Sequence, residues 1–283
     1  MPQTLKRKTS SDALSVAPRV RYCIPLPWEE RERHLAFAKM HGLGLEVTAF
    51  CSGPALNDTA VREERARALK EDLRGWENPL SYHGVFIDIS VHSKDDEFAA
   101  LSRRRIDRDL QTAVDLGCKK VVFHTGFNPQ IPSLKYPAEV AEGHAAWWNT
   151  ALDRFPELTV CLENTFEADP TLFQQIFKRA NHPRLRMCFD VAHANVFSAE
   201  GPERWIRQLG TWLSHMHWND NSGDRDSHWA VGDGSVRWAE IWAAVGELQR
   251  ELTVVLELGG LANIQRSLAS LEKRGMWQPR KAR

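Results

Sequence analysis

The sequence predicts an α/β protein, a single closed (β/α)8 barrel, and three observations carry that prediction. Eight short β-rich apolar runs recur between residues 20 and 257, each followed by a segment with helical periodicity. The runs are apolar at nearly every position, the pattern of parallel strands covered on both faces. The turn after the first run, IPLPWEE (24–30), has no glycine, whereas an open doubly wound sheet usually carries a Gly-rich phosphate turn there. A chain of 283 residues is an ordinary length for one such TIM barrel. The barrel is assigned to residues 20–275, between a basic, Ser-rich N-terminal tail (1–19) and a C-terminal tail (276–283).

In chain order, VRYCIP (20–25) leads into the helical pattern of EERERHLAFAKMHG (29–42), with Gly42 placed as a C-terminal cap. GLEVTAF (44–50) precedes TAVREERARALKEDL (59–73). YHGVFIDI (82–89), with His83 near its start, precedes EFAALSRRRIDRDLQTAVDLG (97–117), which Gly117 closes. KKVVFH (119–124) feeds AEVAEGHAAWWNTALDRF (138–155). LTVCLE (158–163) and LRMCFD (185–190) lead to helices opened by Pro170 and Pro202, a residue suited to a first helical turn. LSHMHW (213–218) and LTVVLE (252–257) complete the set, followed by WAEIWAAVGELQ (238–249) and LANIQRSLASLEKR (261–274).

Charge and composition exclude some classes. Lys+Arg and Asp+Glu are both 37, so the formal charge is zero, and a protein gripping a polyanion by electrostatics usually shows a basic excess. Five cysteines with no CxxC pair fit reduced core thiols in a cytoplasmic protein. No apolar run reaches membrane-spanning length, and MPQTLKRKTSSDALSVAP has no apolar core of a secretory signal.

Chemistry in a barrel sits at the C-terminal strand ends. There the sequence places His124, Glu163, Asp190 with His193 three residues on, His217 and Glu257, with His83 on the third run. The segment 215–234, HMHWNDNSGDRDSHWAVGDG, adds Asp226 and His228 from the loop after the seventh run. Carboxylates ending apolar strands are costly to bury unless paired or metal-bound. Three of them beside histidines indicate a divalent-metal site, with mixed O and N donors suited to Zn²⁺, Mn²⁺ or Fe²⁺. His217 is expected to face into the barrel, and His215 to face the helices as a structural residue. Cys161 and Cys188 should share the face of Glu163 and Asp190. His34, His41, His92, His144 and His182 read as surface or helix-end residues, while Trp28, Trp218 and Trp229 are candidates for stacking at the mouth.

Glu163, Asp190, His217 and Glu257, together with LENT, FDVAH and HWND followed by a loop ending in GDG, resemble the xylose isomerase-like TIM barrels. That superfamily includes endonuclease IV (AP endonuclease family 2) and many sugar and sugar-phosphate isomerases and epimerases. The resemblance covers roughly residues 20–275 and implies that these four residues hold a metal. Likeness to the endonuclease IV branch, carried by the Asp-x-His-x-x-x-Gly-x-Gly pattern of DSHWAVGDG, implies up to three Zn²⁺ with His83, His124, His193, Asp226 and His228 as further ligands. The chain departs from that branch in YCIPLPW, which lacks its Gly-Ala-His start, and in CSGPALNDT, which has no basic residue where that branch has an Arg-rich DNA-gripping loop. GLEVTAF carries Glu46 where the isomerases commonly place a strand-end Glu.

The resemblance yields two enzyme readings. In the first, a trinuclear zinc hydrolase cleaves phosphate esters and Glu163 orients the attacking water. In the second, one Mn²⁺, Zn²⁺, Co²⁺ or Fe²⁺ serves a sugar or sugar-phosphate isomerase or epimerase. Glu163 and Glu257 are then acid/base groups and His193 holds a substrate hydroxyl. The ligand set favours the hydrolase, which is the expected activity with the isomerase as its close alternative; loops and charge favour a small phosphorylated or sugar substrate over duplex DNA. A barrel retained only for binding ranks last, because every ligand position is filled. Oligomeric state is not legible.

Overall fold

The computed structural model describes residues 18–279, so most of the expected N-terminal tail and the last residues of the C-terminal one lie outside the described residues. The elements run β1 (Arg19–Leu26), α1 (Arg31–His41), β2 (Gly44–Val47), α2 (Pro54–Asn57), α3 (Thr59–Asp72), β3 (Leu80–His83) and α4 (Asp96–Asp115). They continue with β4 (Lys120–His124), α5 (Tyr136–Arg154), β5 (Thr159–Glu163), α6 (Thr171–Ala180), β6 (Leu185–Asp190), α7 (Val191–Phe197) and α8 (Pro202–Leu209). The last are β7 (Leu213–Trp218), α9 (Trp238–Glu247), β8 (Glu251–Leu256) and α10 (Leu261–Lys273). The eight strands pair in sequence order into a closed barrel. β1 meets β8 in parallel, with Cys23 opposite Val255.

The two faces of the strands differ: outward positions are largely apolar, whereas inward positions include Glu46, Ser81 and His215, which meet inside the barrel. Trp218 and Met216 point outward from β7 into the helical layer, where Trp218 packs against Trp238 and Tyr22. Trp148, Trp205 and Phe173 fill the same shell elsewhere and are wholly buried. Inside, Val122, Cys161 and Cys188 form a separate small apolar cluster, so the barrel is packed beneath its mouth rather than hollow. All five cysteines are buried and free. Gly42 adopts φ 65° and caps α1, closing the turn as expected. Packing continues past α10: Met276 is buried and its carbonyl accepts the Tyr22 hydroxyl at 3.0 Å.

Two elements differ from the sequence expectation. β3 is Leu80–His83, so His83 ends its strand instead of starting it. Gly84 follows, its N–H bonding Val122 O at 2.9 Å, and the segment after it leaves the sheet. The reason is local: Val85 N–H turns to the buried Asp109 carboxylate at 2.7 Å rather than extending the ladder. α7, the second departure, follows β6 with no loop, and the Asp190 carboxylate accepts from His193 N–H at its start.

Candidate metal centre

Register brings the strand ends into one ring. His124 lies opposite Glu163, and Asp190 opposite His217. Glu257 follows β8, its N–H donating to Trp218 O at 3.2 Å. Residues dispersed from 83 to 257 therefore converge. One donor atom from each of Glu163, Asp190, His217 and Glu257 lies within 4.8 Å of the others. His217 Nδ1 sits 3.0 Å from Glu163 Oε1 and 3.2 Å from Glu257 Oε2. On the other side, Glu163 Oε2 lies 3.2 Å from His124 Nε2 and 3.4 Å from His83 Nε2.

A third group comes from the loop after β7. His193 Nε2 and His228 Nε2 approach the same Asp226 oxygen at 3.2 and 3.0 Å. That loop thus reaches the site. Each ring's Nδ1 already faces a backbone carbonyl, Asn164 O at 2.8 Å for His193 and Glu257 O at 2.9 Å for His228. A carbonyl only accepts, so both Nδ1 atoms donate. In the neutral rings, both Nε2 lone pairs then confront a carboxylate oxygen, an arrangement that calls for protons or a shared cation.

The donor chemistry fits a divalent ion. Glu163 Oε2 and Glu257 Oε2 are buried without an aligned hydrogen bond, which is costly for polar atoms unless a cation completes them. Burial, with Glu257 and Glu163 adding to it, raises the Asp190 carboxyl to about 6 against the pull of His193. Burial also resists ionisation of Glu257, but the adjacent His217 brings that group down to about 2. Burial opposes a proton on His228 too, yet Asp226 and Glu257 raise it to about 10. Imidazole and carboxylate donors together suit zinc, manganese, cobalt or iron.

Several partners carry no individual signal in the sequence. Asn164, the N of LENT, pairs its amide with the Asp190 backbone, donating to O and accepting from N, both at 2.9 Å. Asn219 Nδ2 donates to Asp190 Oδ2 at 3.0 Å. Asp220 gathers the loop: Oδ2 accepts from Gly232 N and Trp238 Nε1, both at 2.8 Å, and Oδ1 from Val236 N at 3.1 Å. The motifs LENT and HWND hold what signal there is, since their polar residues flank the ligand positions. Glu46, from β2, is fully enclosed and contacts Ser81, His215 and His217. Burial resists its ionisation, but His217 and His215 hold the carboxyl well below its usual range.

Other expectations are corrected. His215 does not face the helices: it and His217 are two residues apart on one strand, so both point inward, and His215 Nε2 lies 3.0 Å from Glu46 Oε2. Trp218 is buried in the outer shell and cannot stack on a substrate, whereas Trp28 does line the mouth. His34 and His144 are buried, not superficial: His34 Nδ1 meets Pro25 O at 2.6 Å and His144 Nε2 meets Thr125 O at 2.8 Å.

Above the cluster lies a cavity of about 470 Å³ bordered by His83, His124, His193, Asp226, His228 and Glu257, with Trp28, Phe86 and Arg65 on its sides. A larger cavity of about 600 Å³ opens at the opposite barrel end beside Arg21, Lys120 and Thr253, away from the cluster. Among the described residues no helix is long and apolar enough to cross a membrane.

Known proteins place this architecture. A D-tagatose 3-epimerase-like protein has a TM-score of 0.75 at 20% identity, covering 89% of this chain and 96% of its own, a likeness of fold alone. The TTHB071 protein of Thermus thermophilus, in a crystal soaked with ZnCl₂, has a TM-score of 0.70 at 29% identity over 92% of this chain and 99% of its own. Protein MJ1311 of Methanocaldococcus jannaschii is 23% identical over 193 residues, 64% of this chain and 65% of its own length. This chain therefore spans less than two thirds of that curated relative. The model of the family described as "Xylose isomerase-like TIM barrel" matches residues 24–274, and the chain belongs to that family.

Proposed function

We propose that this protein is a divalent-metal enzyme that isomerises or epimerises a small sugar-type substrate. The observation that carries the reading is the convergence of Glu163, Asp190, His217 and Glu257 on one locus, beneath a cavity of about 470 Å³. That volume suits a ligand of monosaccharide size. A divalent ion held there supplies Lewis acidity toward a carbonyl and its neighbouring hydroxyl. Glu257 borders the cavity, and both it and Glu163 approach Nδ1 of His217, at 3.2 and 3.0 Å. The pair is suited to take a proton from carbon on one face and return one on the other. His193 borders the cavity and is suited to orient a hydroxyl; Trp28 and Phe86 give the ring apolar walls. Similarity in fold to sugar epimerases supports the same class.

The trinuclear phosphate-ester hydrolase, favoured by the ligand set in the sequence, becomes the second reading. It retains one specific support: His83 and His124 on the far oxygen of Glu163, and the His193–Asp226–His228 triangle, offer two further ion positions.

Metal analysis of protein purified without chelator, beside the Asp226→Ala/His228→Ala double variant, separates the two. It is paired with incubation of ketoses in deuterated water. One ion per chain, unchanged in the variant, with deuterium entering the sugar carbon, is the expected result. About three zinc per chain, reduced in the variant, with phosphate released from esters and no carbon exchange, would overturn it in favour of the hydrolase.

A further inference from the structure

Two arginines on the inner face of α3 are buried, and their surroundings differ. Arg62 has a buried counter-ion, Asp109 Oδ1, at 2.6 Å, plus Tyr82 and Thr112 oxygens at 3.1 and 2.9 Å. Arg65 has none comparable. Its side chain is only 10% exposed, and its nearest carboxylate, Glu29, stands 3.7 Å away and is 75% exposed. Nη1 donates to Ala49 O at 2.7 Å, while Nε is buried without a partner. The guanidinium lies over the Trp28 ring at 5.1 Å from its centroid. Arg65 also borders the cavity above the metal centre, and among the described residues no other Lys or Arg does.

A cation taken out of water is costly without a paired anion. Here one is held by a carbonyl and an aromatic face beside a ligand-sized cavity, with donor capacity left over. An arginine so fixed is suited to a planar or tetrahedral oxyanion, which it meets with two N–H groups at once. We propose that Arg65 is the anchor for an oxyanion on the substrate, so the enzyme acts on sugar phosphates or sugar acids rather than neutral sugars. This inference rests on the small-substrate reading above. The ligand has two ends: a carbonyl or hydroxyl pair at the carboxylate–histidine cluster, and a carboxylate or phosphate against Arg65 and Trp28. Glu29, largely exposed at the rim, is the internal competitor that the incoming anion displaces.

Unreactive polyols test the assignment, because they lack the carbonyl that chemistry needs. D-glucitol, D-glucitol 6-phosphate and D-gluconate are titrated into the metal-loaded protein by calorimetry. One of the two anionic ligands should bind about tenfold or more tightly than D-glucitol, the scale of a charge-assisted hydrogen-bond pair. Which one does so identifies phosphate or carboxylate as the source. Arg65→Met should erase that preference and leave D-glucitol affinity in place. Since that variant also loses the bond to Ala49, Glu29→Gln provides an independent arm in which the fold's own contacts remain. Anion affinity should rise about two- to fivefold there on removal of the competing charge. Equal binding of all three polyols to the native protein, or an anion preference that survives in Arg65→Met, would overturn the assignment while leaving the metal–polyol reading standing. If no polyol binds the metal-loaded protein, both fall together.

Discussion

Glu46 Oε1 lies 3.0 Å from Nε2 of His217, in a part of the barrel closed to solvent. The other ring nitrogen, Nδ1, faces Glu163 and Glu257. A carboxylate behind a ligating imidazole fixes which nitrogen carries the hydrogen and raises the basicity of the other. Glu46→Gln keeps the shape and removes that charge. Zinc affinity, measured by competition with a chromophoric chelator, should fall about 10–100-fold. Unchanged affinity would reduce Glu46 to a packing residue.

Gly234 closes the GDG segment where a side chain has no room. A Cβ there would lie 2.2 Å from Asn221 O and 2.3 Å from Asp220 Oδ1. Asp220 holds the loop that carries Asp226 and His228, so Gly234→Ala should displace those two residues. Stability should drop by about 1–3 kcal/mol, the usual cost of overpacking. Metal stoichiometry should stay at one ion per chain, as in the Asp226→Ala/His228→Ala variant, and thermal melts beside elemental analysis give both readings.

Arg62 and Asp109 form a buried pair that also anchors the start of the β3 loop through Val85 N–H. Arg62→Met should cost about 3–5 kcal/mol in urea denaturation, because it strands a buried carboxylate. Adding Asp109→Asn should recover part of that loss. A double variant as unstable as the single one would show that hydrogen bonding, not charge, dominates.

His144 governs an acid limb of stability. Burial, with His92 adding to it, lowers its titration from the usual 6.5 to about 3, against the pull of the Thr125 carbonyl. Nδ1 accepts from Trp148 Nε1 at 3.1 Å, which requires the neutral ring. The native state therefore refuses a proton that the unfolded chain accepts. The contribution is full above about pH 6.5 and drains away as pH falls toward 3. In metal-free protein the midpoint of thermal unfolding should decline below pH 6.5, and less steeply in His144→Gln. Parallel profiles for the two proteins would remove His144 from the explanation.

Periodicity makes the barrel readable, because eight short β-rich runs alternate with segments of helical period and nothing else in the chain repeats that way. LRMCFD and LSHMHW coincide with β6 and β7. β3 escapes a local reading because GVFIDI is as apolar as a strand, and the buried Asp109 on α4 that captures its backbone lies far along the chain. His215 needs only the two-residue alternation of a strand, which puts it on the face of His217. The strand-end residues are legible individually as carboxylates and histidines. Their grouping into adjoining clusters is not, since it depends on register between strands and on where a loop returns. Arg65 gives no signal at all: α3 also carries Arg62 and Arg67, and only geometry separates the buried from the solvated.

Because the ring closes through β1 and β8, the strand that precedes Glu257 is also the strand that completes the cylinder. Glu163, Asp190, His217 and Glu257 stand at the ends of four consecutive strands, β5 to β8, so they become neighbours once the last strand has paired with β7. An ion bound among them reports assembly of the β5–β8 half of the barrel, not the formation of any single strand–helix unit. Its grip also acts as a clasp on the β7–β8 seam: separating those two strands must surrender Glu257, so occupancy and rupture of that seam are coupled by mass action.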